Sequence, residues 1–149
     1  SIKNTIEAMS QETVESVAMR PEIQTLFNEI KAKQERALSI VKSRASVEED
    51  VVFLDMTNLK DAIYNKWLPY YLYPECTYVV VVTESADRIK IAVGSNPWRQ
   101  EKRRHIISDI CARYGGGGHA VVGGVNRTHA EATQVHAIAR EITEHLRTT

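Results

Sequence analysis

The sequence predicts an α/β fold: a mixed β-sheet of about four strands packed by helices, preceded by an N-terminal helical arm. Three observations predict it. Val51-Val52-Phe53-Leu54, Tyr78-Val79-Val80-Val81-Val82-Thr83 and Arg88-Ile89-Lys90-Ile91-Ala92-Val93 have the β-branched content or alternation of strands. Helix-start signals, Asn96-Pro97 and Thr128-His129-Ala130-Glu131, fall after the later runs. The first 45 residues hold no strand-like run and carry a helical stripe instead. The expected order is ααβαββαβα.

Residues 1 to about 45 read as two helices, because Pro21 restricts Arg20 and breaks the first. The second sets Ile23, Leu26, Phe27, Ile30, Leu38 and Val41 against a polar face of Gln24, Lys31, Gln34 and Glu35. Ser43 to Asp50 lacks apolar periodicity and reads as a linker. The boundary therefore falls between a helical connector, 1–49, and a domain, 50–149. The arm is either a connector or docking element, or a helical layer of the same domain.

Val51–Leu54 ends at Asp55 with the look of a buried strand. Asn58 caps the next predicted helix and Asp61 favours its positive end; the helix runs to about Tyr71 and is disturbed by Pro69. Tyr64, Trp67, Tyr70, Tyr71 and Tyr73 crowd this stretch. Such aromatics fill a core or its edge far more often than they stack bases. Tyr78–Thr83 and Arg88–Val93 form a hairpin about Ser85-Ala86-Asp87. With Asn96 as N-cap and Pro97 at the first helical position, a helix is expected over Trp98–Tyr114, with Ile106, Ile107, Ile110 and Cys111 inward. Ala120–Val125 is the last expected strand, and a capping box at Thr128 opens a final helix reaching about Arg147.

At 149 residues the chain suffices for one domain with a core, or a domain plus an appendage. No apolar run approaches the roughly 20 residues of a membrane span, and no signal-peptide pattern stands at the N-terminus. The start at Ser1 suggests a processed product or an excised fragment. Two cysteines, Cys76 and Cys111, without C-x-x-C spacing, read as small buried residues in a reducing, cytoplasmic compartment. The formal net charge is zero, which argues against a broad DNA coat. Its distribution is uneven: from Arg88 to Arg127 the only acids are Glu101 and Asp109, amid Arg88, Lys90, Arg99, Lys102, Arg103, Arg104, Arg113 and Arg127.

Within that basic stretch lies Tyr114-Gly115-Gly116-Gly117-Gly118-His119. Glycines let a ligand or another backbone approach closely, and their successive N–H groups can converge into an anion-binding nest. His119 adds a donor or cation. The competing reading is a helix C-cap with a flexible turn, although a cap needs only one or two glycines, and Gly123-Gly124 follow closely. Gly94-Ser95-Asn96 opens the preceding helix, where free N–H groups favour anions. Ser95 and Arg99 are candidate phosphate contacts; Asn96 reads as a cap, and Arg103 and Arg104 as solvated charges. A helix over Trp98–Tyr114 would hold the two loops roughly 25 Å apart at 1.5 Å per residue. His105, His129, His136 and His145 read as surface residues without metal spacing. No P-loop and no G-x-S-x-G is present.

The run Tyr114-Gly115-Gly116-Gly117-Gly118-His119-Ala120-Val121-Val122-Gly123-Gly124 resembles the signature of the DHHA1 domain, the C-terminal half of DHH-family phosphoesterases such as RecJ-type exonucleases and oligoribonucleases. Where the family usually has Ala-Ala-Gly, this chain has Val122-Gly123-Gly124. The resemblance covers about residues 50–149. It implies a domain that grips a nucleotide or short single-stranded nucleic acid through Gly115, Gly116, Gly117, Gly118 and His119, with Ser95 and Arg99 contributing. It also implies a DHH catalytic domain in the same polypeptide, carrying manganese or magnesium on an Asp-His-His centre. This chain has no Asp-His-His, so it is expected to bind without catalysing, and no membrane partner is expected. The alternative is a stand-alone nucleic-acid-binding or dimerisation module related to tRNA synthetase C-terminal domains, with the helical arm forming a homodimer.

Overall fold

Glu49 and Asp50 make a tight reversal that the apolar pattern did not signal. A computed structural model describes residues 2–59 and 65–148, and in it Glu49 takes a left-handed φ of 55°. This turn joins β1 (Ala45–Glu48) antiparallel to β2 (Val51–Asp55). β1 is an outer strand with mostly exposed residues, so its side chains needed no apolar alternation and the segment read as a linker.

The chain divides into two units, residues 1–38 and 39–149. The first holds α1 (Ile2–Met9), α2 (Val14–Ala18) and most of α3 (Pro21–Arg44). Three helices stand where two were expected. The Thr13 hydroxyl caps α2 by accepting from Ser16 N at 3.2 Å. Pro21 opens α3 at a position that needs no donor.

The second unit is built on a six-stranded mixed sheet, in the order β1-β2-β3-β4-β6-β5. β3 (Tyr78–Glu84) runs parallel to β2; β4 (Ile89–Ser95), β6 (Val122–Arg127) and β5 (Gly117–His119) follow antiparallel. β1 and β5 are additions to the four strands expected. One sheet face, with Val80, Val82, Ile91, Val93 and Val125, packs on α5 (Ile107–Ala112) and α6 (Ala132–Arg147). α6 presents Val135, Ala139, Ile142 and Leu146 at helical spacing to that face. Full burial of each of Val135, Ile142 and Leu146 contributes about 1.5–3 kcal/mol. Among the described residues the helix expected from Asn58 toward Tyr71 is represented by α4 (Leu68–Leu72); Asp61 and Tyr64 lie outside the described residues.

The helix expected over Trp98–Tyr114 is largely absent: a 3-10 turn at Gln100–Lys102 is followed by α5. Asn96 is buried, and its side chain is committed elsewhere. Its Nδ2 donates to the carbonyls of Cys76 (2.8 Å) and Pro74 (3.2 Å), and its Oδ1 accepts from Trp98 N at 3.0 Å. The Tyr78 hydroxyl then accepts from the N–H groups of Arg104 (2.5 Å) and His105 (2.9 Å), which a helix would have used internally. Arg104 continues the anchor with a bidentate pair to Asp50 (2.8 and 2.9 Å) and a bond to the Leu146 carbonyl. No helix among the described residues is long and apolar enough to cross a membrane.

Candidate ligand-binding groove

The loss of that long helix brings the two glycine-containing loops together. Ala120-Val121 is the tip between β5 and β6. Ser95 N and Ser95 Oγ both donate to the Val121 carbonyl (2.9 and 3.2 Å), and Ile107 N donates to the Ala120 carbonyl (3.1 Å). The end of β4, the start of α5 and the hairpin tip are therefore one hydrogen-bonded unit, and the expected 25 Å separation does not occur.

The glycine run is divided among separate tasks. Gly115, at φ 70°, and Gly116 donate to the carbonyls of Ala112 (3.0 Å) and Cys111 (2.9 Å), a Schellman end to α5. Those two amides are thus satisfied by the chain itself, and a nest of converging amides across all four glycines is not formed. A Cβ on Gly116 would stand 2.3 Å from the Gly124 carbonyl oxygen, and one on Gly118 (φ 151°) 2.3 Å from that of Val122. Gly117 differs: it is exposed, and a Cβ there would meet nothing within 4 Å. β5 ends the sheet, so the backbone groups along its outer side have no ladder partner. His119 is exposed and lies opposite Val122 in register, which places the two side chains on one sheet face.

On that face, away from α5 and α6, a groove of about 680 Å³ opens. Val79, Val81, Ala92 and Gly94 floor it; Trp67 and Tyr70 wall it; among the described residues Lys66, Lys90 and Arg103 are its charged lining, with no carboxylate. Val121 and Val122 bring the hairpin tip to its edge. A Cβ on Gly94 would stand 2.5 Å from the Tyr70 hydroxyl, so Tyr70 lies directly over β4. Tyr70 is buried, as the core reading expected, whereas Trp67 is 45% exposed and Trp98 packs edge-on against it at 5.8 Å.

Ser95 is buried at the groove's edge, and its hydroxyl accepts from Arg103 Nε at 3.1 Å. Among the described residues this is the Arg103 guanidinium's one partner, which leaves its terminal nitrogens available. Arg103, read from sequence as a solvated charge, lines the groove. Arg99 is held by the Glu75 carboxylate and donates to the Glu75 carbonyl at 3.0 Å, and it does not line the groove. Lys66, Lys90 and Arg103 were missed. A signal existed for the space around Lys90: Ala92 and Gly94 follow it at strand period, small residues on one face.

The remaining histidines have local partners. His129 Nδ1 is 3.2 Å from Glu84, His136 Nδ1 is 3.5 Å from Asp55, and His105 Nε2 is 3.0 Å from the Thr148 carbonyl. Burial, with the nearby Arg113 and His105 charges, holds His145 below its ordinary pKa. Among the described residues no group of three or more His, Cys, Asp or Glu is placed to hold a metal ion, so they do not supply a metal centre.

No family model and no curated protein matches the chain. Solved structures do. The pGpG-specific phosphodiesterase PggH of Vibrio cholerae superposes with a TM-score of 0.79 over 96% of this chain and 50% of its own, at 20% identity. A DHH domain from a member of the S1P family of ribosomal proteins gives 0.57 over 85% of this chain and 33% of its own, at 14% identity. An exopolyphosphatase-related protein from Bacteroides fragilis gives 0.52 over 89% of this chain and 46% of its own, at 16% identity. The chain has the DHHA1-type fold. The chain spans half or less of the length of each of these three structures. At these identities the likeness is one of fold.

Proposed function

We propose that this chain is the substrate-binding part of a metal-dependent phosphoesterase and holds the phosphate of a nucleotide or short single-stranded nucleic acid at the edge of the groove. The observation that carries the reading is the Arg103–Ser95 pair in a groove whose charged lining, among the described residues, is Lys66, Lys90 and Arg103; the exposed Gly117–His119 strand belongs to the same sheet, outside that lining. Arg103 meets the phosphate with its free terminal nitrogens. Ser95 fixes the guanidinium plane, the open backbone at Gly117 admits an oxygen, and His119 donates from the neighbouring strand. Charge-assisted hydrogen bonds of this kind contribute about 1.5–3 kcal/mol each. Two or three of them are consistent with a millimolar dissociation constant, roughly −4 kcal/mol. The catalytic DHH domain and its manganese or magnesium belong, in this reading, to other residues of the same polypeptide. The likeness of fold to PggH, a pGpG-specific phosphodiesterase, is in keeping with a nucleotide substrate class.

Titration of the chain with AMP, followed by backbone amide NMR, tests the reading. Resonances of Arg103, Gly117, Gly118 and His119 are expected to move together and saturate in the millimolar range. Unmoved amides at these four positions overturn it.

A further inference from the structure

Phosphate recognition leaves most of the groove unexplained. Its depth is apolar and aromatic, and a phosphate has no use for Val79, Val81, Ala92 or the Trp67 ring. We infer that this inner groove binds the planar base of the ligand, and that Trp67 is the stacking residue that reads it. The inference rests on the phosphate-site reading above.

Four observations carry it. Trp67 lines the groove while 45% exposed, so a large aromatic surface is left uncovered by the protein. The ring is held from other sides: Tyr70 stands 6.2 Å away at 49°, and Trp98 packs against it at 5.8 Å and 67°. Opposite lies a floor of small or β-branched residues, with Gly94 allowing the Tyr70 hydroxyl to sit close above the strand. The volume of about 680 Å³ falls within the ordinary range for small-molecule sites and exceeds what one phosphate group fills.

The charges agree. Lys66 Nζ lies 4.8 Å from the centroid of the Trp67 ring, a cation–π contact that covers one face of the ring in the ligand-free chain. Lys66 is exposed on a flexible stem. A base sliding over Trp67 replaces its ammonium, which then turns to the ligand's anionic end. Thr83 and Gln100, also in the lining, offer hydrogen bonds to a base edge. A base on Trp67 with its phosphate at Arg103 would use both halves of the groove.

The test compares AMP with ribose 5-phosphate, by NMR titration and by quenching of tryptophan fluorescence. AMP is expected to quench and to bind at least about fivefold more tightly, since base–aromatic stacking of 1–3 kcal/mol corresponds to about five- to 150-fold. Trp67→Leu should remove that advantage and bring AMP down to the affinity of ribose 5-phosphate, whereas Trp67→Phe should restore much of it. Tyr71→Leu, a change at an exposed residue outside the groove, should leave it intact. If both ligands bind equally to the unaltered chain, or if Trp67→Leu weakens both alike, the stacking role is overturned while the phosphate site stands. If neither ligand moves the Arg103 and Gly117 amides, both readings fall.

Discussion

Arg103 Nε donates to the Ser95 hydroxyl across 3.1 Å, and that hydroxyl in turn donates to the Val121 carbonyl at 3.2 Å. One serine thus ties a guanidinium to the hairpin tip formed by β5 and β6. The pair holds Arg103 at the groove's edge through Nε, and its terminal nitrogens have no partner among the described residues. Arg103→Ala is expected to weaken AMP binding by roughly tenfold or more, the loss of a charge-assisted bond of about 1.5–3 kcal/mol. Its melting temperature should hardly change. Arg99→Ala, which releases only Glu75, should leave the affinity near that of the unaltered chain. NMR titration of the two variants gives the comparison, and equal losses in both would remove Arg103 from its assigned role.

The glycines separate fold from function. Gly116→Ala and Gly118→Ala drive a Cβ into the carbonyl oxygens of Gly124 and Val122, each at 2.3 Å, and the second also forces alanine to φ 151°. Both should destabilise by about 1–3 kcal/mol or more, read as lowered thermal midpoints. Gly117→Ala meets nothing within 4 Å and should melt within a degree or two of the unaltered chain. Because its methyl group occupies the space a phosphate oxygen would need, it should nevertheless weaken AMP. A Gly117→Ala chain that binds AMP normally would show that the ligand does not approach this strand.

Asp50 and Arg104 clamp the turn before β2 to the segment before α5. The Arg104 guanidinium holds the Asp50 carboxyl below its ordinary pKa. Thr77 adds a smaller contribution of the same sign, and burial opposes both. A carboxyl depressed in the folded state contributes stability that is complete above its unfolded value, about 3.9. That stability is lost as pH falls through the folded value. Urea midpoints should therefore drop between about pH 5 and pH 3. Asp50→Asn should lower the midpoint at pH 7 by an amount equivalent to about 1–2 kcal/mol and flatten the acid slope. An unchanged slope in that variant would assign the pH dependence to other carboxylates.

Much of the sheet was legible in the sequence because β-branched runs such as Tyr78–Thr83 have few alternatives to a buried strand. The helices of the second unit were harder. Asn96-Pro97 has the chemistry of a helix start, but the buried partners of Asn96 Nδ2 come from Pro74 and Cys76, about 20 residues away, and no local pattern encodes them. The same long-range competition, through the Tyr78 hydroxyl, broke the helix at Arg104 and His105 and moved Arg103 to the groove. β5 was hidden because glycine is the residue least suggestive of a strand. Of the residues singled out from sequence, Ser95 lines the groove and Gly115–Gly118 do not, and that Arg103 lines it while Arg99 does not depends on a fold-back that only tertiary contacts decide.

Cys76 offers a test of the core beneath this fold-back. It is 2% exposed, and burial, reinforced by the nearby Asp50 charge, pushes its thiol up to about 11. Cys111 is raised by burial as well. Thiolate is the reactive form, so both cysteines should resist a thiol-specific disulfide reagent at pH 8 in the folded chain and react promptly in urea. The linkage carries a sign. Between the unfolded thiol value, about 8.5, and the folded value for Cys76, the unfolded chain has lost a proton that the folded chain keeps. Stability therefore falls as pH rises through that window. Cys76→Ala should lower stability at pH 7 through the lost packing, yet reduce the decline between about pH 9 and pH 11. Rapid modification of Cys76 in the native chain would mean that the Asn96-centred junction opens readily, and the placement of Arg103 that depends on it would then lose its anchor.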